Sequence, residues 1–228
     1  RERFQYFLTG SSARRLRSQS ANLLPGRSHV FRLFPVTSWE TEGTIRTDWP
    51  GSSAEVKPRL PLFPAQTLSR TLVFGNLPGV RGEEEETAAA TLSAYVDNYL
   101  EEEIRGEALV RDLGHFSVFV RLAATESGQQ VNLAALSQEA GIAASTLKSF
   151  YQVLADTFVG YWVRPYAGRN RRRLLTTPRF FFFDNGVRNA AAGLPLDDRM
   201  LATEGPRLLE HWVGLELLHR AGYRGRGH

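Results

Sequence analysis

The sequence predicts a mainly α-helical protein with an α/β segment at its N-terminus. Two observations carry this. From about residue 66 onward, apolar residues recur at spacings of three and four, the period of a helix that buries one face, as in Leu92, Tyr95, Val96, Tyr99, Leu100 and Ile104. Before residue 40, short apolar runs flank a basic helical stretch instead: strand over about 4–8, helix over about 13–23, a turn at Pro25 and Gly26, and strand over about 29–33. The expected divisions are 1–40, an irregular connector over 41–65 punctuated by Pro50, Pro58, Pro61 and Pro64, a helical region over 66–130, and a helix-turn-helix domain over 131–228.

Composition limits the function classes. An apolar content of 42% over 228 residues supplies a real core. Cysteine is absent, which removes disulfides and thiolate metal sites. No apolar run approaches a membrane span and no signal peptide is read at the start, so the expected location is the cytoplasm and no membrane partner is expected. The net charge is +4, and Lys57 and Lys148 are the only lysines, leaving 26 arginines among the 28 basic residues. Arginine suits bidentate contact with phosphate or carboxylate.

In the helical region, Glu83–Glu86 stands where an N-terminal dipole favours acid, and 86–110 reads as a helix with Glu101–Glu103 mostly on its solvated flank. A second helix covers "HFSVFVRLAATES", with Gly128 as its stop. The stretch "VNLAALSQEAGIAASTLKSFYQVLADTFVGYW" then reads as a helix-turn-helix. Leu133, Leu136 and Ala140 mark one helix face, Gly141 supplies a turn at positive φ, Ile142 plugs the corner, and Ser145 is the expected cap of a second helix. Leu147, Phe150, Tyr151 and Leu154 of that second helix face the first. "GYWVRPYAG" and "PRFFFFDNG" read as two strands flanking the basic "RNRRRLLTT", which together make a wing.

A winged helix predicts DNA contact, with Lys148 and Gln152, beside Thr146 and Ser149, on the exposed face of the recognition helix and Arg169, Arg171, Arg172 and Arg173 on phosphates. The alternative is a winged helix that docks a protein partner, because Lys148 is the one cation in that helix. "RFFFFDNG" imitates the strand and aspartate of a magnesium site in P-loop enzymes. No phosphate cradle accompanies it, since the lysines sit in "AEVKPR" and "STLKSF", so Asp184 is expected to cap the next helix.

The stretches "FLTGSSARRLR", "NLLPGRSHVFRLFPVTSWE", "GNLPGV", "YVDNYLEEEI", the helix-turn-helix, "PRFFFFDNGV" and "LLEHWVGLELLHRAGY", in this order, resemble ATP-binding proteins of the AAA+ class that carry a C-terminal DUF4143 domain. The resemblance implies that the chain is the end of a P-loop ATPase core followed by a helical winged-helix domain. It places Thr9 and Ser11 at the tip of a nucleotide-sensing strand and Arg27 where such ATPases reach a neighbouring subunit's nucleotide. It implies ATP and magnesium as cofactors of a longer parent only, with neighbouring subunits of an ATPase oligomer as partners. Both phosphate-binding motifs would precede residue 1, and a nuclease-like acidic cluster would follow the last helix, where Glu210 and Glu216 stand alone. On this reading the chain itself is a non-catalytic fragment.

Overall fold

The computed structural model describes residues 32–42, 63–100, 110, 112–165 and 177–224. The strands and helix expected before residue 32, and the greater part of the connector, lie outside them. In order, the elements are α1 (Ser38–Glu42), α2 (Leu68–Phe74), α3 (Glu85–Ala94), a π-helical continuation (Tyr95–Leu100), α4 (Leu113–Thr125), α5 (Leu133–Ala140), α6 (Ala144–Asp156), β1 (Gly160–Val163), β2 (Arg179–Phe182), α7 (Asn185–Ala191), a 3-10 turn (Asp198–Met200) and α8 (Leu201–Tyr223).

Local chemistry sets most of the boundaries. Thr67 caps α2, Asp112 caps α4 and Asn132 caps α5, each through a side-chain oxygen that accepts an otherwise unpaired backbone N–H. Gly141 ends α5 at φ 67°, the left-handed value the turn requires. The expectation for Ser145 is corrected: α6 begins one residue earlier, the flanking residue is Ala143, and no side chain caps it. Ser145 instead sits in the first turn and its carbonyl accepts from the Ser149 hydroxyl.

α7 lies at the centre of the molecule although it is only seven residues long. It contacts α2, α3, α4, α8 and β2. Such crowding leaves no room for solvated side chains, and Asn185, Gly186, Val187, Arg188, Asn189 and Ala191 are all buried. Its polar members are kept by hydrogen bonds. The Asn189 amide donates to the Leu72 and Val73 carbonyls at the end of α2, 2.9 Å each. Arg188 donates through Nε to the Ala124 carbonyl (2.9 Å) at the end of α4 and pairs with Glu204 (3.2 Å). These bonds close helix termini whose carbonyls would otherwise be buried without partners.

Around α7 one hydrophobic cluster runs from Leu72 to Leu208. Its aromatic part joins the helix-turn-helix to the hairpin: Phe119 meets Tyr151 edge-on at 4.8 Å, Tyr151 meets Phe180 at 4.9 Å, and Trp162 meets Phe180 at 5.1 Å. β1 and β2 pair antiparallel, with Tyr161 opposite Phe181 and Trp162 opposite Phe180. The segment before α5 adds to the β2 edge. Gln130 bridges Arg179, Gly128 N–H donates to the Phe180 carbonyl (2.7 Å), and Val131 N–H donates to the Pro178 carbonyl (3.0 Å).

Candidate functional site

The exposed side of α6, together with the hairpin built beside it, is the surface on which the sequence places its candidate contacts. Leu147, Phe150, Tyr151, Val153 and Leu154 turn into the core, so the opposite face of α6 is left to solvent. Ser145, Lys148, Ser149 and Gln152 are exposed there, with Thr146 half-buried. This side of the helix is nearly neutral. Gln152 Nε2 donates to Asp156 Oδ1 (2.9 Å), so its amide is engaged by an acidic neighbour one turn on. Arg169, Arg171, Arg172 and Arg173, which fall between β1 and β2 in sequence, lie outside the described residues, and so do Thr9, Ser11 and Arg27.

Asp184 stands at the end of β2 and caps α7, accepting Val187 N–H at 3.1 Å. Its other oxygen accepts Asn76 N–H at 2.7 Å. Burial pushes the carboxyl up to about 6, and the hydrogen bonds from Asn76, Val187 and Gly186 work against that rise. A carboxylate committed to three backbone donors is a structural cap. Among the described residues no group of three or more His, Asp or Glu could hold a metal ion.

Sequence reasoning missed a buried polar chain next to this cap. Ser127 Oγ lies 2.8 Å from His211 Nε2, and His211 Nδ1 lies 2.8 Å from Asn185 Oδ1. Asn185 Nδ2 donates to the Leu208 carbonyl (3.1 Å), which fixes the amide so that its oxygen faces the imidazole. His211 therefore carries its proton on Nδ1, and Nε2 accepts the Ser127 hydroxyl proton. Ser127 Oγ in turn accepts Phe182 N–H at 2.8 Å.

The order hydroxyl, imidazole, amide imitates a nucleophile with its base and orienter. Access decides against that role. Ser127, His211 and Asn185 are 6%, 2% and 2% exposed, and the serine oxygen already holds a backbone donor. A small cleft nearby is lined by Asn185, Asp184, Trp212, Glu216 and His219 and does not reach Ser127 or His211. The chain ties α4, β2, α7 and α8 together. The sequence marks its members only as a serine after a helix, an asparagine after a cap, and a histidine in a long helix.

The family model for a domain of unknown function, DUF8612, matches residues 65–198, which run from the start of α2 through α7. The chain belongs to this DUF8612 family. The expected membership of the AAA+ class with a DUF4143 domain is thereby corrected. None of the seven stretches that suggested it contains the G-x-x-x-x-G-K-[ST] phosphate cradle. A protein of Haemophilus influenzae (strain ATCC 51907 / DSM 11121 / KW20 / Rd), described only as an uncharacterized protein, is 27% identical over 221 residues, covering 95% of this chain and 51% of its own length. The chain thus spans about half the length of that relative. No solved structure matches. Among the described residues, no helix is long and apolar enough to cross a membrane.

Proposed function

We propose that this member of the DUF8612 family is a winged-helix docking module that contacts nucleic acid through its wing and performs no chemistry of its own. The observation that carries the proposal is the order and pairing of α4, the bridged segment 128–131, α5, α6, β1, loop and β2. In a winged helix a short strand before the helix-turn-helix pairs with the hairpin that follows it, and Gln130 against Arg179 is such a pairing. The sequence between β1 and β2 contains Arg164, Arg169, Arg171, Arg172 and Arg173 and no acidic residue over 164–178. The near-neutral face of α6 favours phosphate contact over base reading, since bidentate base contacts come mainly from arginine, lysine, asparagine and glutamine.

Fluorescence anisotropy of a short duplex at several salt concentrations tests the proposal. Each phosphate neutralised contributes about 0.9 to the log–log salt slope. Replacing Arg171, Arg172 and Arg173 by Ala is expected to flatten the slope by about two to three units, and Lys148→Ala to do much less. A triple variant that binds like the parent removes the wing from the contact. A second reading, protein docking at α6, is favoured by the single cation on that helix. Absence of duplex binding even at low salt would put it first.

A further inference from the structure

Residues 34–40 lie as a strap along the last turns of α8, and both strap and helix fall outside the family match at 65–198. Phe34 stacks on His219 with ring centroids 4.9 Å apart and meets Tyr223 edge-on at 5.1 Å. Its backbone N–H donates to the Tyr223 hydroxyl (3.1 Å). Gly222 makes the space for this ring, because a Cβ there would stand 2.6 Å from it. Farther along, Ser38 N–H and Oγ donate to Glu216 Oε1 (3.0 and 2.8 Å). Arg220 bonds both Glu216 and Ser38, and its guanidinium and that of Arg224 lie over the Trp39 ring at 4.5 and 4.6 Å. Val36 N–H donates to the Asn76 carbonyl (2.9 Å), which ties the strap to the loop after α2.

We infer that this strap is a latch that acid opens, with the His219 ring beneath Phe34 as the group that senses the proton. His219 is 4% exposed, and among the described residues its Nε2 has no hydrogen-bond partner. The ring is held between Phe34 of the strap and Tyr161 of β1, whose centroid lies 6.0 Å away. Titratable and charged groups stand on the elements packed around it, and burial alone is the cause of its lowered pKa. Glu216, Arg220, Tyr223 and His211 share its helix, Asp184 faces it from the start of α7 across the small cleft, and Glu40 and Arg32 come from the strap and its entry.

None of these neighbours welcomes a second imidazole proton while the latch is shut. Glu216 is committed to Ser38 and Arg220, and Asp184 is committed to Asn76 and Val187. An imidazolium Nε2–H would be buried without an acceptor, and the attraction of a cation for the Phe34 face is smaller than that cost. Lifting Phe34 admits water to the ring. Burial holds His219 down to about 4 in the closed state. Exposed, it returns to the ordinary value of about 6.5. The open state therefore binds the proton more tightly, and the opening constant is expected to rise about 20-fold between pH 7 and pH 5.

Amide hydrogen exchange at Val36 and Ser38, with each rate divided by its intrinsic value at that pH, reads the opening directly. The expected result is a rise of about 20-fold from pH 7 to pH 5 in the wild-type chain. In His219→Phe, which keeps a ring under Phe34 but cannot titrate, the rise is expected to fall below about twofold. His219→Gln serves the same purpose should the phenylalanine variant fold poorly. His211→Gln is expected to leave the rise in place. Strap protection unchanged between the two pH values, or a 20-fold rise that persists in the His219 variants, overturns the inference. The test does not depend on what the wing binds.

Discussion

Acid should destabilise this molecule through His211, and the effect can be worked from its surroundings. Burial, helped by the Arg188 charge and by His219, holds the imidazole at about 3. The unfolded chain, with an ordinary value of 6.5, binds the extra proton first, so stability present above pH 6.5 is lost as pH falls toward 3. Between pH 7 and pH 5 this removes about 2 kcal/mol. His219, held at about 4, removes nearly as much. Asp184 acts with the opposite sign: its folded value of about 6 lies above its unfolded 3.8, so protonation on acidification returns about 1 kcal/mol. The net loss expected from these three groups is about 2 to 3 kcal/mol.

Urea unfolding at pH 7, 6 and 5 measures that loss, with a constant m-value as the check that the transition stays two-state. His211→Gln costs stability at every pH because it breaks the Ser127 to Asn185 chain. It should nevertheless reduce the pH-dependent loss by about 2 kcal/mol relative to wild type. Other carboxylates titrate in both proteins and cancel in this comparison. A wild-type stability flat from pH 7 to pH 5, or a variant with the same pH dependence as wild type, would refute the reasoning.

Arg188→Ala should cost about 3 to 5 kcal/mol, since it strips the end of α4 of its donor and leaves Glu204 without its partner. The same variant should raise the His211 pKa in an NMR titration, because the Arg188 charge is one of the causes that lower it. Gly186→Ala should destabilise by about 1 to 3 kcal/mol, read as a fall in Tm, because the new Cβ would stand 2.2 Å from the Phe74 carbonyl oxygen.

Sequence alone determined the features that rest on local chemistry. The positive-φ Gly141, the apolar spacing of Leu147, Phe150, Tyr151 and Leu154, the two antiparallel strands and the cap at Asp184 all emerge as read. Each depends on residues within one turn or one hairpin of each other, so the pattern is written contiguously. The cap of α6 was misread at Ser145 because serine favours caps in general, while the helix begins at Ala144 with Ala143 as its flanking residue and no side-chain cap.

Tertiary structure decided what lies far apart in the chain. Ser127, Asn185 and His211 span 84 residues and meet only because α4, α7 and α8 converge. Nothing in their own neighbourhoods distinguishes them from surface residues. The same holds for the strap, where Phe34 and Tyr223, 189 positions apart, find each other through the gap at Gly222. Periodicity tells which face of a helix is buried, but not which other helix buries it, and for α7 the neighbours are what make an arginine and two asparagines into core residues.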